Sequence, residues 1–339
     1  MKERILYFDF LRALAIVAVI AIHGNSIGYK FEDNSFNFIA STFIRQSINF
    51  GVPLFLAISG FFLATKAVNT KTLYFSFLWK QISRVLIPLI IWSSIYVAFD
   101  YSNGAKLSSL IKKAVTFQAS APFYYILLII QFYVFLPFLQ KIGSKKLGLV
   151  ISLLTSLICC FVIYYLRYHT LTNLPLVVYA GNFATWIVFF VLGIYLRLNT
   201  IKINRAWLIV LCTFTFFLSL FETGFVYHLH GEIIESTTAV KASSFLYSFF
   251  VIIYLFSLKK DVNSRIMIYV GELSFGIYFL HMFVLTALKS FLAEAMPDVF
   301  KYSIFIQLLL IVVILSICTM VGLLFRMVSG KVLSKYFGF

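Results

Sequence analysis

The sequence predicts an all-α, polytopic integral membrane protein of about ten transmembrane helices, with both the N- and C-termini in the cytoplasm. Three observations carry that expectation. First, 62% of the 339 residues are hydrophobic and only 12% are charged, whereas roughly a quarter of a soluble domain is charged. Second, about ten apolar runs can cross a ~30 Å hydrocarbon core, at 6–28, 46–66, 80–99, 123–140, 147–166, 181–198, 206–226, 242–258, 266–290 and 302–326. Third, the basic residues sort by side once the N-terminus is placed inside. The cytoplasmic segments, which include Lys2, Arg4, Lys141, Lys145, Lys146, Lys202, Lys259 and Lys260, hold 18 of the 28 Lys and Arg. The outer segments, among them Lys30, Arg45, Lys241 and Lys301, hold 9. This is the positive-inside pattern, so the formal charge of +16 belongs to short loops and implies no nucleic-acid partner. No loop is long enough for a separate soluble domain and no internal repeat is visible. Residues 1–339 therefore read as a single transmembrane domain.

The first run carries the strongest chemical signal. Lys2 and Arg4 ahead of an apolar stretch imitate a signal peptide, but Arg12 and His23 interrupt that stretch and no cleavage site follows. It is expected to remain as the first span. Arg12 and His23 are separated by ten residues, roughly 16 Å along a helix at ~1.5 Å per residue. Ionisable residues inside a membrane mark functional sites. A histidine can take the proton of a hydroxyl, and an arginine at the inner boundary offers a fork of donors to phosphate or carbonyl oxygen. Asp9, three residues before Arg12, shares its face and can orient the guanidinium. A snorkelling arginine and a helix-packing histidine are the plainer alternatives.

In the second run, Pro53, Ser59 and Gly60 imply a kinked span with a close helix contact. Lys80, Gln81, Arg84 and Pro88 stand at the cytoplasmic start of the third span. Basic residues beside a proline-bent helix end suit an anionic ligand, and they equally suit topological anchoring. At the fourth, Tyr124, Tyr125 and Gln131 suit sugar recognition by stacking and hydrogen bonding, or an interfacial aromatic belt. Cys159, Cys160, Cys212 and Cys318 all fall in spans, so neither a disulfide framework nor a zinc site is expected. His228, His230, Glu232 and Glu235 occupy an outer loop, and no metal site is expected there either. The ninth run, Gly271-Glu272-Leu-Ser274-Phe-Gly-Ile-Tyr278-Phe-Leu-His281, also runs outward. His281 lies ten residues beyond Gly271, a depth comparable to that of His23, so the two histidines could face one cavity. Tyr278 shares the face of His281.

Together the Arg12-x10-His23 pair, the Gly51–Phe62 segment, the Arg84-to-Pro88 helix start and the Ser274-x-x-x-Tyr278-x-x-His281 segment resemble acyltransferase family 3. The compact form resembles the branch that includes the enterobacterial common antigen O-acetyltransferase and the staphylococcal intercellular adhesin modification protein. The resemblance implies an integral membrane acyltransferase of the bacterial cytoplasmic membrane with ten core helices. It implies a cytoplasmic acyl-CoA donor, acetyl-CoA or alternatively succinyl-CoA, and no permanently bound cofactor. The acceptor it implies is a hydroxyl of a surface glycan or glycan precursor. On this resemblance His23 is the catalytic histidine and Arg12 helps to hold the donor. Arg84 and Lys80 would take the donor phosphates, although members often carry Arg-x-x-Arg where this chain has Gln81 and Arg84. His281, Tyr278, Tyr124 and Gln131 are the expected acceptor-binding residues. The chain lacks the hydrolase-like domain of some members, so transfer would be completed within the membrane domain. The competing class is a transporter or flippase of a glycan precursor, which would use the same scaffold without acyl chemistry.

Overall fold

The structure is a computed structural model that describes residues 6–25, 31–170, 174–201, 203–258, 264–295 and 303–339. Lys2, Arg4, Lys30, Lys202, Lys259, Lys260 and Lys301 of the charge argument lie outside the described residues. Of the described residues 84% are helical, and no strand occurs among them. In chain order the helices are α1 (Leu6–Gly24), α2 (Phe36–Ser47), α3 (Gly51–Leu63), α4 (Lys71–Ser102), α5 (Leu107–Val115), α6 (Tyr124–Val134), α7 (Leu136–Gly143) and α8 (Lys146–Tyr168). They continue with α9 (Leu176–Tyr179), α10 (Phe183–Leu198), α11 (Arg205–His230), α12 (Ile233–Ser236), α13 (Ala242–Leu258), α14 (Arg265–Ala295) and α15 (Ile304–Tyr336).

Among the described residues seven segments are long and apolar enough to cross a membrane, or eight if α6 and α7, bent by 73° at Phe135, count as one broken span. The apolar helices α10 and α13 have 16 and 17 residues, short of the ~20 that a crossing needs. Over its described residues each of the ten apolar runs is thus largely helical, and helix length there supports seven or eight crossings.

The chain divides into two units, Met1–Phe55 with Ile201–Leu324, and Leu56–Thr200 with Phe325–Phe339. In the first, α1 is the central element. Its small residues Ala13, Ala15 and Ala18 are buried, which lets neighbouring backbones come close. Gly271 of α14 does so: a Cβ there would lie 1.8 Å from the Asp9 carbonyl oxygen. At the other end of α1, a Cβ on Gly24 would lie 2.8 Å from Ile311 of α15. Ser35 caps α2 by accepting from the Phe38 N–H. The chain breaks between α2 and α3 upstream of Pro53, which sits in the first turn of α3. There its missing N–H has no helical partner to lose, so the expected kink is instead a break before the proline.

A buried polar network joins α2, α11 and α13. Ser219 donates to Gln46 Oε1 (2.7 Å), and the Gln46 amide donates to the Thr237 carbonyl (3.2 Å). Lys241, counted from the sequence as an outer-loop charge, is buried. Its Nζ donates to the Ser219 carbonyl (2.9 Å), the Ser236 carbonyl (3.2 Å) and the Thr223 hydroxyl. Three acceptors match the three donors of an ammonium. Lys241→Met should therefore lower stability by roughly 2–4 kcal/mol, the scale of lost charged hydrogen bonds plus stranded buried partners. Thermal unfolding in detergent checks this; an unchanged midpoint would show that the lysine is not an anchor.

In the second unit, α3 and α10 cross on two glycines. A Cβ on Gly60 would lie 2.1 Å from the Phe190 carbonyl oxygen, and one on Gly193 would lie 2.0 Å from that of Ala57. Close packing thus accounts for Gly60 in the second run. Helix α4 starts nine residues before Lys80 and contains Pro88 in its interior. Lys80 and Arg84 accordingly lie within this helix, not at its start. At the C-terminus, Phe337 accepts from Trp92 Nε1 (3.1 Å) and packs on Phe325 at 4.7 Å.

Candidate active site

Two histidines meet on the α1–α14 pair. His23 lies in the last turn of α1 and remains partly exposed. His281 of α14 is 1% exposed. Their ring centroids are 5.4 Å apart at an interplanar angle of 44°. His281 Nδ1 faces the carbonyl oxygens of Tyr278 (2.7 Å) and Ile277 (3.2 Å). Carbonyls only accept, so Nδ1 carries the proton and Nε2 keeps its lone pair. That Nε2 is buried and has no hydrogen-bond partner among the described residues. Buried polar atoms are almost always satisfied, so an open acceptor beside a second imidazole marks a place for a ligand hydroxyl or a transferred proton. Tyr278 packs its ring 6.2 Å from that of His281 and is itself buried.

At the other end of α1, Arg12 donates to Asp9 at 2.7 Å. The Asp9 side chain is 3% exposed and that of Arg12 is 35% exposed. The buried carboxylate therefore aims the guanidinium and leaves part of it open. Arg12 and His23 are eleven positions apart, about three turns at ~3.6 residues per turn, so both side chains leave α1 on the same face. A ligand lying along that face would meet a cationic fork at one end and an imidazole pair at the other.

Arg45 of α2 completes the surroundings of His23. Its Nη1 donates to the Ile22 carbonyl at 2.8 Å, one of the last-turn carbonyls that an α-helix leaves without an internal donor. Among the described residues, Arg45 and Lys289 are cationic groups whose charge acts on His23. The sequence had marked Arg45 only as an outer positive charge. Its isolation in the mostly apolar stretch Phe43-Ile-Arg45 ahead of the second run was the available signal.

The remaining site candidates belong to the second unit. Lys80 and Arg84 are exposed on α4, and Arg84 is a charged neighbour of Tyr133. Tyr124 opens α6 and is half-buried. Gln131 has a structural employment: its Nε2 donates to the carbonyls of Leu127 (3.2 Å) and Gly181 (2.6 Å), and its Oε1 accepts from the Phe183 N–H (3.3 Å). It ties α6 to the start of α10, so its amide is committed before any sugar arrives. Among the described residues, no group of three or more His, Cys, Asp and Glu could hold a metal ion.

A family model described as an acyltransferase domain matches residues 5–325 of the chain. No curated protein and no solved structure matches it.

Proposed function

Because the chain belongs to acyltransferase family 3 and has several helices apolar enough to cross a membrane, we propose that this membrane acyltransferase moves an acyl group from cytoplasmic acyl-CoA to a hydroxyl of a cell-surface glycan or its precursor. Acetyl-CoA is the proposed donor, with succinyl-CoA as the alternative. The proposal includes the topology that the charge pattern favours: ten crossings of the bacterial cytoplasmic membrane, with both termini inside.

The observation that carries the reading is the histidine pair, His23 half-buried and His281 buried with its Nε2 unpartnered among the described residues, their rings 5.4 Å apart. In the proposed reaction the donor's pantetheine arm lies along α1, held at Arg12, with the thioester near His23. His23 takes the proton of the acceptor hydroxyl, or carries the acyl group transiently. His281 Nε2 accepts a hydrogen bond from the acceptor or from His23 and so orients the proton transfer. Arg84 and Lys80 are proposed for the coenzyme A phosphates on the strength of their charge and the family resemblance. Tyr278 and Tyr124 remain the proposed acceptor contacts. A flippase would need the scaffold but not an imidazole held in one tautomer next to a second one.

Mass spectrometry of surface glycans tests this reading. A strain without the gene should lose acyl groups that the complemented strain restores. Identical acylation in both strains would reject it.

A further inference from the structure

Arg45 carries a second, unused donor. Its Nη1 is fixed on the Ile22 carbonyl, yet its Nε is buried and has no hydrogen-bond partner among the described residues. A buried N–H on a charged group is costly to leave unpaired. Here it lies on a guanidinium anchored to the residue that precedes His23, and its charge reaches the His23 ring. A capping role for α1 accounts for Nη1 alone. It leaves unexplained a buried, unpartnered N–H on a guanidinium held at the residue before His23.

We infer that Arg45 Nε–H is the oxyanion donor of the acyl transfer. This rests on the function proposed above. The acceptor oxygen bonds to the thioester carbonyl carbon while its proton passes to His23, and the carbonyl π pair moves onto the oxygen. Arg45 donates to that oxygen as its negative charge develops. When the tetrahedral centre collapses, the pair returns to the carbonyl and the C–S bond breaks. The leaving thiolate takes the proton from His23 and departs as the free thiol of coenzyme A. A donor fixed before the reaction stabilises the charge without reorganising, which is the condition under which such groups act most strongly.

The test uses the purified full-length protein, labelled acetyl-CoA and a hydroxyl-bearing saccharide. Arg45→Lys keeps the charge but removes the planar Nε–H, and Arg45→Ala removes both. Each should lower kcat on the order of 100- to 1,000-fold with KM for acetyl-CoA little changed, and Arg45→Lys, which keeps a charged donor, should hold the thermal midpoint near that of the wild type. Added guanidinium ion should restore part of the Arg45→Ala rate, which a lost helix cap would not allow. Wild-type kcat in Arg45→Lys would overturn the inference. So would a loss confined to KM, which would make Arg45 a ground-state donor contact, or a loss that follows the melting temperature without guanidinium rescue. Failure of the wild type to transfer any label would remove the parent reading with it. Transfer that needs His23 but not Arg45 would remove this one alone.

Discussion

His23→Ala is expected to abolish acyl transfer in a protein that still folds and still binds acyl-CoA. His23 sits in the last turn of α1 with its ring partly exposed, so truncation leaves the buried stripe of that helix intact. The donor contacts proposed for Arg12, Arg84 and Lys80 are untouched. What disappears is the proton acceptor, and general base catalysis contributes on the order of 100- to 10,000-fold. His281→Ala should behave differently. Its Nδ1–H bonds only to backbone carbonyls of its own helix, so the loss is an orienting acceptor at Nε2. Activity should fall but remain measurable, partly through a higher KM for the acceptor. Steady-state rates and acyl-CoA binding on both variants decide this. A silent His281→Ala beside an active His23→Ala would exchange the two roles.

Gly271→Val should have the largest effect on folding. Even a Cβ at this position would lie 1.8 Å from the backbone oxygen of Asp9, and a backbone atom cannot swing aside as a flexible side chain can. α1 and α14 would have to separate. Overpacking of this kind costs ~1–3 kcal/mol and occasionally more, and a clash with backbone belongs at the upper end. The same shift would move Asp9 away from Arg12 and part the two histidines. We expect a sharp loss of monodisperse protein by size-exclusion chromatography, with transfer falling in the fraction that survives. Even Gly271→Ala should lower the thermal midpoint. A Gly271→Ala protein with wild-type stability would show that α1 and α14 are not in such close contact.

The meeting of the two histidines was legible in the sequence, because depth along a span can be read from residue number. His23 and His281 are separated by most of the chain, yet their matched depth on two outward-running spans suggested a shared cavity, and their rings lie 5.4 Å apart. Asp9 and Arg12 were readable for the same reason, as an i, i+3 pair on one helix. What numbering does not reveal is which face of one helix meets which face of another. Arg45 and Lys241 both looked like loop charges. One reaches the end of α1 and the other enters a buried polar network. Gln131 had the composition of a sugar ligand and is bound instead to three backbone groups. Helix length among the described residues supports seven or eight of the ten expected crossings, for a related reason. A run such as 181–198 is apolar enough for a span, but α10 within it is a 16-residue helix buried over most of its length. Hydropathy cannot separate burial in protein from burial in lipid.

The most direct test of the central claim is a single-vessel assay of purified protein with labelled acetyl-CoA and a saccharide acceptor, recording labelled saccharide and free coenzyme A thiol together. Acyl transfer at the histidine pair predicts that the two products appear in equal amounts and that both are lost in His23→Ala. Labelled saccharide forming at the wild-type rate in a folded His23→Ala protein, or no release of thiol by the wild type, would contradict it.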